Sequence, residues 1–206
     1  VKRLAVFGGS GHGKVVADTA ECCGWQSIDF FDDAWPGLKQ NGVWSVVGDT
    51  AALIDRLPVY DGVVVAVGNN RIRYTKLLEL KSAGGSLITL IHPAATVSRY
   101  ANIDKGTVVF AGAVVNAFAQ IRLGVILNTG CTVEHDCVIG NGAHISPGAC
   151  LAGGVHVGDE SWVGIGANVR QLIKIGERVV VGAGSAVVSD IPNDVTVAGV
   201  PAQRMR

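Results

Sequence analysis

Residues 121–139 read IRLGVILNTGCTVEHDCVI, and Ile121, Leu127, Val133 and Ile139 fall at every sixth position. The period continues on both sides. It begins at Ile91, passes through Val97, Ile103, Val109 and Val115, and runs on through Ile145, Leu151, Val157, Val163, Val169, Ile175, Val181 and Val187. Four residues after each member comes a mostly small one, such as Ala113, Ala119, Cys131, Cys137, Ala143, Ala149 or Ala167. Amphipathic helices repeat near 3.6 residues and strands at 2, so a sustained six fits neither. It predicts an all-β parallel β-helix, in which each six-residue step is a short strand and a corner. Three steps close one triangular coil, so residues eighteen apart stack. The aliphatic side chain fills the interior, and glycines such as Gly112, Gly130, Gly148 and Gly166 relieve the turns.

Upstream the pattern changes. Leu4 to Phe7 is a short apolar run, followed by Gly8-Gly-Ser-Gly-His-Gly13 and a helical stretch over Lys14 to Cys23. Ile28 to Phe31 leads into Asp32-Asp33, Val43 to Val47 is a further candidate strand, and Gly62 to Val67 a buried one ending in Gly68-Asn69-Asn70. Arg71 to Ala83 reads as helix and Ser86 to Ile91 as strand. Such alternation predicts a small parallel α/β sheet with ligand residues at its strand ends. The organisation expected is therefore an α/β Rossmann-like domain over 1–90 and the β-helix with a C-terminal tail over 91–206.

Composition narrows the function. Lys+Arg and Asp+Glu both number 17 in 206 residues, so no charge excess points to nucleic acid or an anionic membrane. No apolar run approaches the ~20 residues of a membrane helix. The five cysteines form no CxxC and follow no export signal, which predicts a reducing cytoplasm. The chain begins with Val1, so its being a domain of a longer protein stays open, as does partnership with a membrane glycan enzyme.

The glycine loop resembles two nucleotide motifs and satisfies neither. Gly8 to Lys14 fits G-x-x-x-x-G-K, but Val15 stands where Ser or Thr would hold Mg²⁺, and Lys14 stands where G-x-G-x-x-G needs its third glycine. What remains is a glycine turn at a helix N-terminus, suited to a phosphate, with a plain tight turn as the alternative. Asp32-Asp33 suits hydrogen bonds from a base or ribose, or merely a solvated turn. In Glu134-His135-Asp136, His135 lies two residues past the inward Val133 and projects outward beside a carboxylate. Such an imidazole can accept the proton an amine sheds on attacking a thioester, through direct transfer without an acyl-enzyme. His144 and His156 each precede an aliphatic step and are also expected to project outward. None of the three histidines lies eighteen from another, so they do not stack into a metal site, and no metal is expected. Histidines brought together by neighbouring copies would supply converging ligands, which keeps a β-helix carbonic anhydrase as the rival enzyme. Cys131 and Cys137, at small inward positions, are expected to be buried and structural.

Eight stretches in order carry a family resemblance along nearly the whole chain: Gly8 to Gly13, Phe31 to Asp33, Ala66 to Arg71, Leu90 to Pro93, Val125 to Thr129, Val133 to Cys137, His144 to Gly148 and Ala198 to Ala202. The chain resembles the bacterial sugar-nucleotide acetyltransferases of the hexapeptide-repeat superfamily, which include UDP-4-amino-sugar, GDP-perosamine and sialic acid acetyltransferases. The resemblance implies a left-handed β-helix that trimerises, with active sites between subunits, acetyl-CoA as co-substrate and a nucleotide-linked amino sugar as acceptor. UDP is the expected nucleotide; a GDP-linked sugar, O-acetylation or a non-catalytic sugar-nucleotide scaffold are the alternatives. Carried over, His135 is the general base and Asp136 its orienting carboxylate, where close relatives often have Glu. His144 approaches the thioester and Gly153 offers an N–H to the developing oxyanion. Ile165, Ala183, Gly184, Val200 and Pro201 line the CoA groove, with Lys174 or Arg204 for its phosphates. Gly8, Ser10, Gly11, His12 and Lys14 surround the nucleotide phosphates, Asp32, Asp33 and Asn69 the nucleoside, and Asn128 and Thr129 the sugar.

Overall fold

A computed structural model describes residues 1–205 and divides the chain into two compact units, Val1–His92 and Pro93–Arg206. In the first, β1 (Arg3–Phe7) is followed by α1 (Gly11–Cys22), β2 (Ser27–Phe31), a small antiparallel pair β3 (Gln40–Asn41) and β4 (Trp44–Ser45), α2 (Thr50–Arg56), β5 (Gly62–Val65) and α3 (Asn70–Ser82). The parallel sheet runs β2-β1-β5, so β1 is central and the connections diverge on its two sides. Leu4, Ala5, Val6, Val63 and Val64 are buried, as strands covered on both faces require. Ligands bind at the carboxyl ends of strands where such a sheet reverses direction. Here that place lies between the loops after Phe7 and after Val65. Gly8 has φ 116°, and a Cβ there would stand 2.6 Å from the Ala66 carbonyl oxygen, so the two loops approach as only glycine allows.

Two local readings change. Helix α1 starts at Gly11, three residues before the expected Lys14, so the second half of the glycine loop is itself the first helical turn. Helix α2 had no counterpart in the sequence reading; Asp49 caps it by accepting from the Ala52 amide at 2.9 Å.

The second unit is a triangular prism of two-residue parallel strands. One face stacks Thr96–Val97 to Ala186–Val187, the second Asn102–Ile103 to Lys174–Ile175, and the third Val108–Val109 to Val180–Val181 followed by Thr196–Ala198. Each strand pairs with the one eighteen residues on, as Val115 with Val133 and Val133 with Leu151, until the last coil, where Val180–Val181 pairs sixteen residues on with Thr196–Val197. The periodic aliphatics from Val109 to Val187 fill one continuous core with Ala113, Cys131, Cys137, Ala143 and Ala149. Two inward polar residues satisfy themselves on the next coil: Thr107 Oγ1 donates to the Arg122 carbonyl, and Ser161 Oγ to that of Gly176. The first member of the series departs from the pattern. Ile91 is 39 % exposed and belongs to the first unit, because no coil precedes it to close an interior around it.

Candidate active site

Each coil presents three corners, and two of them carry the candidate residues. The corner between the first and second faces holds Glu134-His135-Asp136. Asp136 takes φ 60°, a left-handed turn position that Asp tolerates better than most residues. The turn places its Oδ2 2.8 Å from His135 Nδ1, so even the short Asp arm reaches the ring. One coil on, a Cβ at Gly153 would stand 2.5 Å from His135 Nε2. The imidazole thus lies over Gly153, and glycine is needed there for its close approach. The Gly153 carbonyl accepts from Leu172, and its amide has no acceptor among the described residues. The structure therefore groups His135, Asp136 and Gly153 around an exposed imidazole whose Nε2 lies over the Gly153 Cα position. Glu134 turns aside to accept from Asn116 Nδ2 at 2.8 Å.

The corner between the third and first faces gathers a second set. Asn128 Nδ2 and His144 Nε2 are 3.0 Å apart, and Asn128 Oδ1 accepts from the Thr129 amide. His144 was expected to project outward. It does leave the prism interior, yet it is only 8 % exposed because Trp162, its partner eighteen residues on, stacks over it at 5.1 Å. That eighteen-residue spacing is the signal in the sequence that points to Trp162. Trp162 Nε1 donates to Ser146 Oγ at 2.6 Å, fixing the indole. From there an apolar groove of about 360 Å³ runs along the third face, lined by His144, Pro147, Trp162, Ile165, Val180 and Ala183 among others. Ile165 and Ala183 sit in its wall; Gly184, Val200 and Pro201 follow nearby in sequence but are not lining residues. Lys174 lies on the second face, and Arg204 in the last strand, antiparallel to Thr196–Ala198.

His135 and this groove are thus on different corners of one prism, a six-residue step from Thr129 to His135 apart, or up to ~20 Å. His156 stands on the second face, so the three histidines occupy three different places. Cys131 and Cys137 are buried, and burial pushes the Cys131 thiol up to about 12, which leaves it an inert core group.

In the first unit, the Ser10 hydroxyl makes no capping bond to α1, and Ser10, Gly11 and Lys14 are exposed. His12 behaves differently: burial, with the Arg73 charge beside it, lowers its pKa to about 4, so the ring is neutral at pH 7. Asp32 Oδ2 accepts from the Gly9 amide at 2.7 Å and Oδ1 from that of Ala34. Asp33 Oδ1 accepts from both the amide and the hydroxyl of Thr50. Both carboxylates are thus engaged in pinning loops. Asn69 caps α3 by accepting from the Ile72 amide at 3.0 Å. Arg73, which sequence reasoning missed, is buried and donates to the carbonyls of Val67 and Gly68, fixing the loop after β5. No hydropathy pattern marks such an arginine.

Comparisons with known proteins agree along both units. Residues 3–79 match a family profile described as the PglD N-terminal domain. The acetyltransferase domain of PglB from Neisseria gonorrhoeae, solved with acetyl coenzyme A, is 45 % identical over 99 % of both chains, with a TM-score of 0.95. PerB from Caulobacter crescentus, solved with CoA and GDP-perosamine, is 36 % identical over 100 % of this chain and 98 % of its own, also at 0.95. A UDP-N-acetylbacillosamine N-acetyltransferase of Bacillus subtilis is 39 % identical over 114 residues, which is 54 % of this chain and 52 % of that one. The chain thus spans about half the length of the curated relative it matches.

Proposed function

The chain belongs to the hexapeptide-repeat sugar-nucleotide acetyltransferases, and from that premise we propose that it moves the acetyl group of acetyl-CoA onto the amino group of a nucleotide-linked amino sugar. The observation that carries this reading is the His135–Asp136 pair, held at 2.8 Å with Nε2 over Gly153. Asp136 keeps the proton on Nδ1, so Nε2 is the acceptor. As the amine nitrogen bonds to the thioester carbon it acidifies, and Nε2 takes its proton. The carbonyl oxygen gains negative charge in that step, and the Gly153 N–H is placed to donate to it. The carbon–sulfur bond then breaks, and His135 returns the proton to the departing sulfur. An amide and a free thiol result.

The apolar groove beside Trp162 suits the pantetheine arm, with His144 and Asn128 at its inner end. In the first unit, the open amides of the first α1 turn suit the diphosphate, with Lys14 as the nearby cation. His12, neutral at pH 7, contributes an N–H at most. Asp32, Asp33 and Asn69 retain a nucleoside role through whichever oxygens their loop bonds leave open. The acceptor is read as a UDP-linked 4-amino sugar; a GDP-linked sugar is the alternative, favoured by the likeness to PerB, which was solved with GDP-perosamine.

We read the assembly as a homotrimer with sites between copies. What supports this is the placement of the base and the groove on different corners of one prism, so that a neighbouring copy is needed to bring them together. A cytoplasmic setting is consistent with five free cysteines, and no helix among the described residues is long and apolar enough to cross a membrane. The test is thiol release from acetyl-CoA in the presence of UDP- and GDP-linked amino sugars. Turnover that requires the free amine is expected. Absence of thiol release across the whole panel would leave the scaffold reading in its place.

A further inference from the structure

The β3–β4 hairpin forms its own antiparallel pair, and two of its side chains reach α1. Trp44 packs on Phe30 with ring centres 6.0 Å apart, and its Nε1 donates to Glu21 Oε1 at 2.8 Å, near the end of the helix. Asn41, only 4 % exposed, donates from Nδ2 to the Ser10 carbonyl at 3.1 Å, at the start of the helix. That start is weak by itself. Two of its first three residues are Gly11 and Gly13, and glycine is the poorest helix former after proline. The Ser10 side chain makes no capping bond, and the first backbone bond, from the Lys14 amide to the Ser10 carbonyl, is long at 3.3 Å. Gly13 cannot be exchanged for a stiffer residue, because a Cβ there would collide with the Gly8 carbonyl oxygen. The turn is therefore held from outside, by Asn41.

The bond also sets a direction. The Ser10 carbonyl and the Gly11 N–H belong to one planar trans peptide and point opposite ways. Drawing the carbonyl toward Asn41 turns the Gly11 N–H outward, one of the amides a helix start leaves without an intrahelical partner. Beside Gly11 a Cβ would meet nothing within 4 Å, so there is room for a ligand. We propose that Asn41 is a positioning residue for the diphosphate of the acceptor, holding the Ser10–Gly11 peptide plane so that the Gly11 N–H stays aimed at a phosphate oxygen. The proposal rests on the reading of the first α1 turn as the diphosphate site. Asn41 does not touch the ligand. It removes before binding the freedom that a glycine-rich turn would otherwise lose on binding. Lys14 borders the same hairpin, its Cε 4.0 Å from where a Cβ on Gly42 would stand, and supplies charge without fixing direction.

The test sets a nucleoside diphosphate against its own nucleoside, UDP with uridine and GDP with guanosine, as competitive inhibitors toward the acceptor in the full chain. Asn41→Ala and Asn41→Leu both lack the donor. In each, the Ki of the preferred diphosphate should rise about tenfold, the loss of one hydrogen bond to a charged group. The nucleoside Ki should stay within about twofold, less than one such bond is worth, and kcat and the KM for acetyl-CoA should hold. A diphosphate Ki that does not move overturns the proposal. So does an equal rise for diphosphate and nucleoside, which is what a general loosening of the unit would give. Heteronuclear NMR on the wild type decides the matter if the variants unfold. Adding the diphosphate should shift the Gly11 backbone amide and the Asn41 side-chain amide together, and adding the nucleoside should shift neither. A Gly11 shift with Asn41 unmoved overturns the proposal. Failure of the diphosphate reading is separately visible, because wild type would then bind the diphosphate no more tightly than the nucleoside.

Discussion

At the corner that carries His135, the left-handed turn positions are held by Phe118, Asp136, Gly154 and Leu172; at the corner beside the groove they are Gly112, Gly130, Gly148, Gly166 and Gly184. The backbone is the same, with φ between 60° and 71° throughout. The first corner accepts conformational cost to project side chains. The second projects none, and a Cβ at Gly130, Gly148, Gly166 or Gly184 would meet nothing within 4 Å in this chain. One corner holds side chains in left-handed turns, and the other leaves open space along its turns. Repetition supplies a uniform scaffold, and function is written in the departures from it.

The sharpest way to break this contrast is His135→Ala. The side chain points away from the core, so the fold should survive while kcat falls about 10²–10⁴-fold. Asp136→Asn, which leaves the imidazole but weakens its orientation, should cost less. Steady-state kinetics on oligomer of unchanged mass checks both, and an Asp136→Asn loss exceeding that of His135→Ala would misassign the pair.

Reading the pH dependence of that corner requires separating activity from stability, because His12 also responds. Its folded pKa of about 4 lies below the ordinary 6.5. Between those values the unfolded chain binds the proton and the folded chain does not, so stability is complete above pH 6.5 and falls as pH drops through 4. The loss is at most about 3 kcal/mol. Denaturant midpoints between pH 7 and 4 should show this slope, and His12→Asn should flatten it. An unchanged slope in the variant would place its source elsewhere.

On the groove side, Trp162→Ala removes one wall and uncovers His144. The KM for acetyl-CoA should rise about tenfold, the equivalent of roughly 1.5 kcal/mol of lost contact, while the acceptor KM stays put. The reverse pattern would put the acceptor in this groove. Smaller effects of opposite sign should distinguish the corners directly. Gly166→Ala introduces a left-handed penalty of about 1–2 kcal/mol. Leu172→Gly, at the other corner, removes one and should raise Tm. Thermal unfolding of the two variants reads the difference, and a Tm that falls in both would mean that the Leu172 side chain earns its place by packing.

The prism was legible because its interior repeats one residue type at one spacing, and from Val97 on every periodic aliphatic packs in or against the core. Ile91 kept the spacing but not the burial, since periodicity cannot reveal where the first coil closes. Residues eighteen apart were legible as neighbours, which placed Gly153 beside His135 in advance. The burial of His144 by Trp162 was available from the same arithmetic, but it depends on the size of the covering side chain. The first unit was harder. Helix α2 spans seven residues with one fully buried side chain, Leu53, too little for a pattern. The bonds of Asp32 and Asp33 run to Gly9 and Thr50, partners that no local spacing connects.

The central claim, that a base on one corner serves a groove on a neighbour's other corner, is open to a subunit-mixing measurement. His135→Ala keeps the groove and loses the base; Ala183→Trp fills the groove and keeps the base. Co-expressed and purified as mixed oligomers, two inactive chains should recover about a quarter of wild-type thiol release, because a quarter of randomly assorted neighbours pair an intact base with an intact groove. Mixed oligomers no more active than either parent would contradict the account and place base and groove within a single chain.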